Sequence, residues 1–151
     1  MMAVKFNGQP NWYGYEDAKG FPGMNATSAV DAVESFAAEG EVKPGTFVTR
    51  GTDKNKQVKA IGSVSDIPVG IAVHTHHEPG TVYSDGATVP VKVNGDVYVE
   101  VSGAVTADES VHIDATGKIG GATLAGGVEV QNTRFMESAV DGEITRVRIV
   151  K

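Results

Sequence analysis

Across residues 89–101, valine recurs with a period of two. Val89, Val91 and Val93 alternate with Pro90, Lys92 and Asn94, while Val97, Val99 and Val101 alternate with Tyr98, Glu100 and Ser102. Successive side chains of a strand point to opposite faces, so each run offers one all-valine face for burial and one mixed face. Asn94-Gly95-Asp96 between the runs is turn chemistry, because Asn and Gly tolerate the positive φ of a tight turn. The pattern predicts a β-hairpin and with it an all-β fold.

The surrounding chain keeps the same habit. Ile67, Val69, Ile71 and Val73 fall on one face of a strand, and the small Gly70 and Ala72 between them argue for close approach of another sheet or chain. Lys43-Pro44-Gly45 is a turn before the short β run at residues 46–50, and a weak strand follows at 58–64. Residues 25–40 are ambiguous. Ser28 and Asp31 could cap a short helix, or residues 33–38 form a strand leading into Glu39-Gly40; the absence of firm helix punctuation favours strand or coil. Further short strands are expected near 111–113, 128–132, 134–136 and 145–150, with turns at 114–117 and at Asp141-Gly142. In the last run Val147 and Ile149 face the core, and Arg146 and Arg148 face out. Roughly nine or ten short strands with regular turn signals predict a small β-barrel or β-tulip-like sandwich of short antiparallel strands.

The 19 glycines and the 21% of charged residues suit that class. The length, 151 residues, predicts one barrel domain over residues 25–151, preceded by an irregular arm over 1–24. The arm is distinctive: Phe6, Trp12, Tyr13, Tyr15 and Phe21 are five of the chain's ten aromatics, interrupted by glycines and prolines that forbid long regular elements. Aromatics with polar tips are favoured at interfaces, so the arm either packs on its own barrel or docks on another subunit.

A formal net charge of −6 argues against nucleic acid as a partner. Lys54, Lys56 and Lys59 form a local basic cluster, read as a solvated loop. There is no cysteine, so neither disulfides nor thiolate metal sites are possible. No signal-peptide pattern and no long apolar run occurs, which predicts a soluble chain made in the cytosol, with no membrane partner.

Candidate chemistry is sparse. His74-Thr75-His76-His77-Glu78 places His74, His76 and Glu78 on one face if the strand continues, and two imidazoles with a carboxylate could hold iron, manganese or zinc. The spacing departs from the cupin pattern: Gly70 lies too close to His74, and Glu78 follows His76 too closely. Asp108, Glu109 and Asp114 lack the alternation of an EF-hand loop. The glycine-rich stretch 117–127 is neither a P-loop nor a dinucleotide fingerprint, and no nucleophile elbow is present. No catalytic residue and no cofactor is expected.

The order of features resembles one family, the small capsid cement or decoration proteins of tailed bacteriophages. An irregular N-terminal segment precedes Lys43-Pro44-Gly45-Thr46-Phe47-Val48, then Pro68-Val69-Gly70-Ile71-Ala72-Val73. Tyr83-Ser84-Asp85-Gly86 leads into the valine strands, and Asp141-Gly142 comes before the last strand. The resemblance covers roughly residues 40–151. It implies a β-barrel or β-tulip that assembles as a homotrimer on the outer surface of the virion. There it would bind the major capsid protein of the expanded shell and stabilise it against internal DNA pressure. The chain would be made in the cytoplasm of the bacterial host. Candidate contacts to capsid or subunits are Phe6, Trp12, Tyr13, Tyr15 and Phe21 in the arm, and His76, His77 and Tyr83 in the excursion before the valine strands. Two rival readings follow from the residues alone: a cupin-like metal-binding barrel on His74, His76 and Glu78, and a carbohydrate-binding virion or adhesin module on the arm aromatics.

Overall fold

The structure is a computed structural model that describes residues 20–26, 31–74 and 82–150. All its regular elements are strands: β1 (Ala32–Ala38), β2 (Phe47–Arg50), β3 (Gln57–Ala60), β4 (Pro68–Ala72), β5 (Thr88–Glu100), β6 (His112–Ile113), β7 (Ile119–Gly120), β8 (Val128–Glu129), β9 (Thr133–Phe135) and β10 (Ile144–Ile149). Strands β1-β3-β2-β4-β5 follow one another in a sheet that closes on itself through β5 and β1, making a five-stranded barrel. β10 and then β9 extend from the C-terminal half of β5, and β7-β6-β8 form a separate three-stranded sheet. The all-β barrel expected from the valine periodicity is the observed architecture.

The hairpin is not. Asn94-Gly95-Asp96 does not fold back; β5 runs straight through it as one strand of 13 residues. The first half pairs with β1, from Ala32 opposite Asn94 to Ala37 opposite Thr88. The second half pairs with β10, from Ile149 opposite Gly95 to Ile144 opposite Glu100. The three residues read as a turn are where one strand changes partners. Gly95 has φ of +122° there, a conformation that favours glycine, at the point where the pairing passes from β1 to β10. A second correction concerns strand direction. β1 and β3 pair parallel, with Ala37 opposite Gln57 and Ala38 opposite Val58, so the barrel is not purely antiparallel.

The valines serve two cores. Val89, Val91 and Val93 pack with Phe36, Val42, Val48 and Val58 inside the barrel. Val97, Val99 and Val101 pack with Phe47, Val111, Phe135 and Val147 between the barrel wall and the flanking sheets. Each fully buried valine contributes roughly 1.5–3 kcal/mol, so a one-residue slip of β5, which would exchange valines for Pro90, Lys92, Tyr98 and Glu100, is strongly disfavoured. The expected single face of β4 also splits. Val69 belongs to the barrel core and Ile71 to the other. Ile67 is 80% exposed. Gly70 explains the tight fit: a Cβ added there would lie 2.2 Å from the Lys92 carbonyl oxygen. The close neighbour expected of Gly70 is β5 of the same chain.

Candidate interaction surface

The last residues of the arm are sewn to the seam of the two cores. Gly23 donates its N–H to the Tyr98 carbonyl at 2.9 Å, and Tyr98 donates back to the Met24 carbonyl at 3.1 Å. Asn25 bridges to Val97, so this short run occupies the edge of β5 that β10 leaves open. Pro22 and Gly23 interlock with the Pro44-Gly45 turn, where a Cβ on Gly23 would stand 2.7 Å from Pro44 Cβ. Residues 20–26 therefore lie on their own barrel.

The excursion after β4 begins beside this root. His74 donates its backbone N–H to the Gly23 carbonyl at 2.8 Å. Its ring meets Phe21 edge-on, with centroids 5.1 Å apart and an interplanar angle of 82°. At the far end of the excursion, Tyr83 exchanges two backbone hydrogen bonds with Val42, of 3.0 and 2.8 Å. Its hydroxyl donates to the Val73 carbonyl at 2.6 Å, closing the base of the loop. Three sequence-predicted residues, Phe21, His74 and Tyr83, thus come together at one place. The described root of the arm and the first residue of the histidine-rich excursion thus lie side by side. Phe6, Trp12, Tyr13, Tyr15, His76, His77 and Glu78 lie outside the described residues. Among the described residues, no group of three or more His, Asp or Glu side chains has metal-binding geometry.

Two buried charges at the seam were not anticipated. The Lys92 side chain is wholly buried, and its Nζ lies 2.6 Å from Oδ2 of Asp31, whose own side chain is 38% exposed. Its stem crosses the space over Gly95, where an added Cβ would meet Lys92 Cδ at 3.1 Å and Asp31 Cβ at 2.7 Å. Asp96, 3% exposed, is gripped from β10. Arg148 donates Nε to Oδ1 at 2.7 Å and Nη2 to Oδ2 at 2.9 Å, a bidentate fork. Arg146 Nε stands 3.8 Å from Oδ2. The hydrogen bonds that Arg148 donates to Asp96, and then the charge of that carboxylate, raise the pKa of the Arg148 guanidinium above its ordinary value. Arg146 and Arg148 do face away from the core, as expected, but toward a carboxylate rather than into free solvent. The sequence signal of both pairs, charges flanking the one glycine among the valines, is identical to that of a polar turn.

The structure resembles solved phage head proteins. One chain from the capsid of Myoviridae phage XM1 superposes with a TM-score of 0.70 and 20% identity, covering 100% of this chain and 99% of that one. The N base of head fiber gp8.5 of bacteriophage phi29 superposes with a TM-score of 0.54 and 12% identity, covering 80% of this chain and 94% of that one. These likenesses concern the fold. No curated protein matches the sequence. The family model described as "Structural cement protein (E217 gp24/Pam3 gp6)" matches residues 9–150, and the chain belongs to that family of phage structural proteins, which is not a family of enzymes.

Proposed function

We propose that this protein decorates the outer surface of an expanded phage capsid as a homotrimer. In this reading it bridges neighbouring copies of the major capsid protein and so helps the shell resist the pressure of packaged DNA. The observation that carries the reading is membership of the structural cement family across residues 9–150. The geometry supports it. A closed barrel whose two cores share one strand is a stiff body, and the described root of the arm lies beside His74, where the second candidate contact segment begins. A stiff body with two contact segments rooted side by side suits a clamp that spans two surfaces, and a trimer of such clamps gains strength through multivalency. The net charge of −6 keeps the protein off the packaged genome. On this reading the chain is made in the bacterial cytoplasm and joins the head after expansion. Phe6, Trp12, Tyr13, Tyr15, Phe21, His76, His77 and Tyr83 are its contact candidates.

The test is co-sedimentation with expanded and unexpanded heads that lack this protein, beside light scattering of the free protein. Saturable binding to expanded heads and a trimeric mass are the expected results. A monomer that binds neither kind of head overturns the reading. Replacing Trp12, Tyr13 and Tyr15 together with alanine in the full chain tests the arm: binding is expected to fall by about tenfold or more, as for buried aromatic anchors.

A further inference from the structure

Residues 50–59 hold four cationic side chains, Arg50, Lys54, Lys56 and Lys59, and one acidic one, Asp53. This local excess of three positive charges sits in a chain of net charge −6, so the remainder carries −9. Elsewhere at the seam the cations are committed, Lys92 to Asp31 and the β10 arginines to Asp96. Lys54, Lys56 and Lys59 are exposed and form no ion pair among the described residues.

The fold brings these cations beside an apolar group far off in sequence. β2 pairs with β3 on one side, Thr49 opposite Lys59, and with β4 on the other, Thr49 opposite Pro68. A groove of about 480 Å³ therefore crosses the outer face of β2, lined by Arg50, Lys54 and Lys59 and, on the far side, by Ile67 and Asp66, so that cations outnumber carboxylates three to one along its walls. Ile67 is 80% exposed. It is nevertheless held in place, because Thr49 Oγ1 donates to its carbonyl at 2.9 Å. The preceding turn is tied by Asp66 Oδ2, which accepts from the Gly62 and Ser63 N–H groups at 2.9 and 3.0 Å. On the other wall, Arg50 lies 5.1 Å over the Phe36 ring and donates Nη1 to the Lys54 carbonyl at 3.0 Å. Walls and apolar knob are preorganised, so an occupant orders little of this protein on binding.

We propose that this groove is the barrel's own docking site for the shell: it receives a segment of the capsid protein in which carboxylates flank one apolar side chain. Charge complementarity selects the occupant. The lysines attract acidic groups, Ile67 requires an apolar contact, and the strongly acidic remainder of the protein repels a nucleic acid. None of the lining residues belongs to the arm or to the His74–Tyr83 excursion, and the inference rests on the capsid-binding reading above.

The probe is again an expanded head lacking this protein, with binding measured across a salt series. Lys54→Glu with Lys59→Glu is expected to weaken binding by about tenfold or more at low salt and to flatten its salt dependence. Ile67→Ser is expected to weaken it by about fivefold or more with the salt slope unchanged. Lys43→Glu with Lys118→Glu makes the same change of charge outside the groove and should stay within about twofold. Wild-type protein that does not bind heads overturns the capsid reading and this inference with it. Wild-type protein that binds, alongside groove variants that bind as well, overturns the inference alone, as does an equal loss in the Lys43/Lys118 control. Groove variants that lose the trimer would assign the groove to a second copy. Groove variants that keep head binding but lose affinity for a DNA oligonucleotide would assign it to nucleic acid.

Discussion

The two halves of β5 have nearly the same sequence pattern and solve opposite electrostatic problems. In the barrel half, Lys92 is fully buried and its partner Asp31 is partly wet. In the sheet half, Asp96 is buried and its partners, Arg148 and Arg146, are partly exposed at 34% and 27%. One ammonium meets one carboxylate in the first case, while one carboxylate meets a bidentate guanidinium and a second arginine in the other. The lesson concerns which side of a buried pair carries the risk. Loss of Asp31 strands a cation that water does not reach, whereas loss of one arginine leaves Asp96 another within reach.

The largest effect should come from the glycine that separates the halves. Gly95→Val forces a β-branched side chain into a positive φ and onto Asp31 and Lys92. It is expected to cost roughly 3 kcal/mol or more in denaturant unfolding. Gly86→Ala is the matched control, with φ of +84° and open space around the added carbon. It should cost about 1 kcal/mol. Equal losses at the two sites would mean that backbone conformation alone, not the seam, makes Gly95 necessary.

Next in size is the asymmetry within the barrel pair. Asp31→Ala is expected to lose about 3 kcal/mol, since it leaves Lys92 buried and unpaired, whereas Lys92→Met should stay within about 1 kcal/mol because it removes the buried charge itself. Thermal unfolding of the two variants side by side decides this. A costlier Lys92→Met would show that the ammonium does more than answer Asp31.

The smallest effect lies away from the seam, in the turn after β6. Burial pushes the Asp114 carboxyl up, but hydrogen bonds from the Thr116 side chain and from the Lys118 and Thr116 N–H groups outweigh this and hold it below the ordinary value. Asp114 Oδ1 accepts from the Thr116 hydroxyl at 2.7 Å, from the Thr116 N–H at 2.9 Å and from the Lys118 N–H at 3.0 Å. A carboxyl depressed in the folded state contributes stability above its unfolded pKa, and that stability fades as pH falls through the folded one. The acid limb of the stability–pH curve should therefore flatten slightly in Asp114→Asn. An unchanged acid limb would remove Asp114 from the account of acid stability.

The strand-rich class, the turns at Pro44-Gly45 and Asp141-Gly142, and the inward face of β10 were all legible, because each depends on local periodicity and turn residues. Gly142 has φ of +82°, and the turn closes where Glu143 donates its N–H to the Val140 carbonyl at 3.0 Å. The path of β5 was not legible, for a definite reason. A three-residue turn at Asn94-Gly95-Asp96 and a single unbroken strand both leave the six valines on one face. What decides between them is the partner of Val97 and Val99, which is β10, more than forty residues further on. Strand preference is set by such cross-strand neighbours as much as by the residues themselves. The groove was half legible. Lys54, Lys56 and Lys59 are readable as an exposed loop, but only the pairing of β2 with β4 brings Ile67 to them.

Cementing is the central claim, and its most direct measurement is the temperature at which DNA-filled heads lacking this protein release their genome, with and without saturating protein. A clear rise in the release temperature at full occupancy is expected. Full occupancy with no rise would show that the protein binds the shell without reinforcing it, and would contradict the claim.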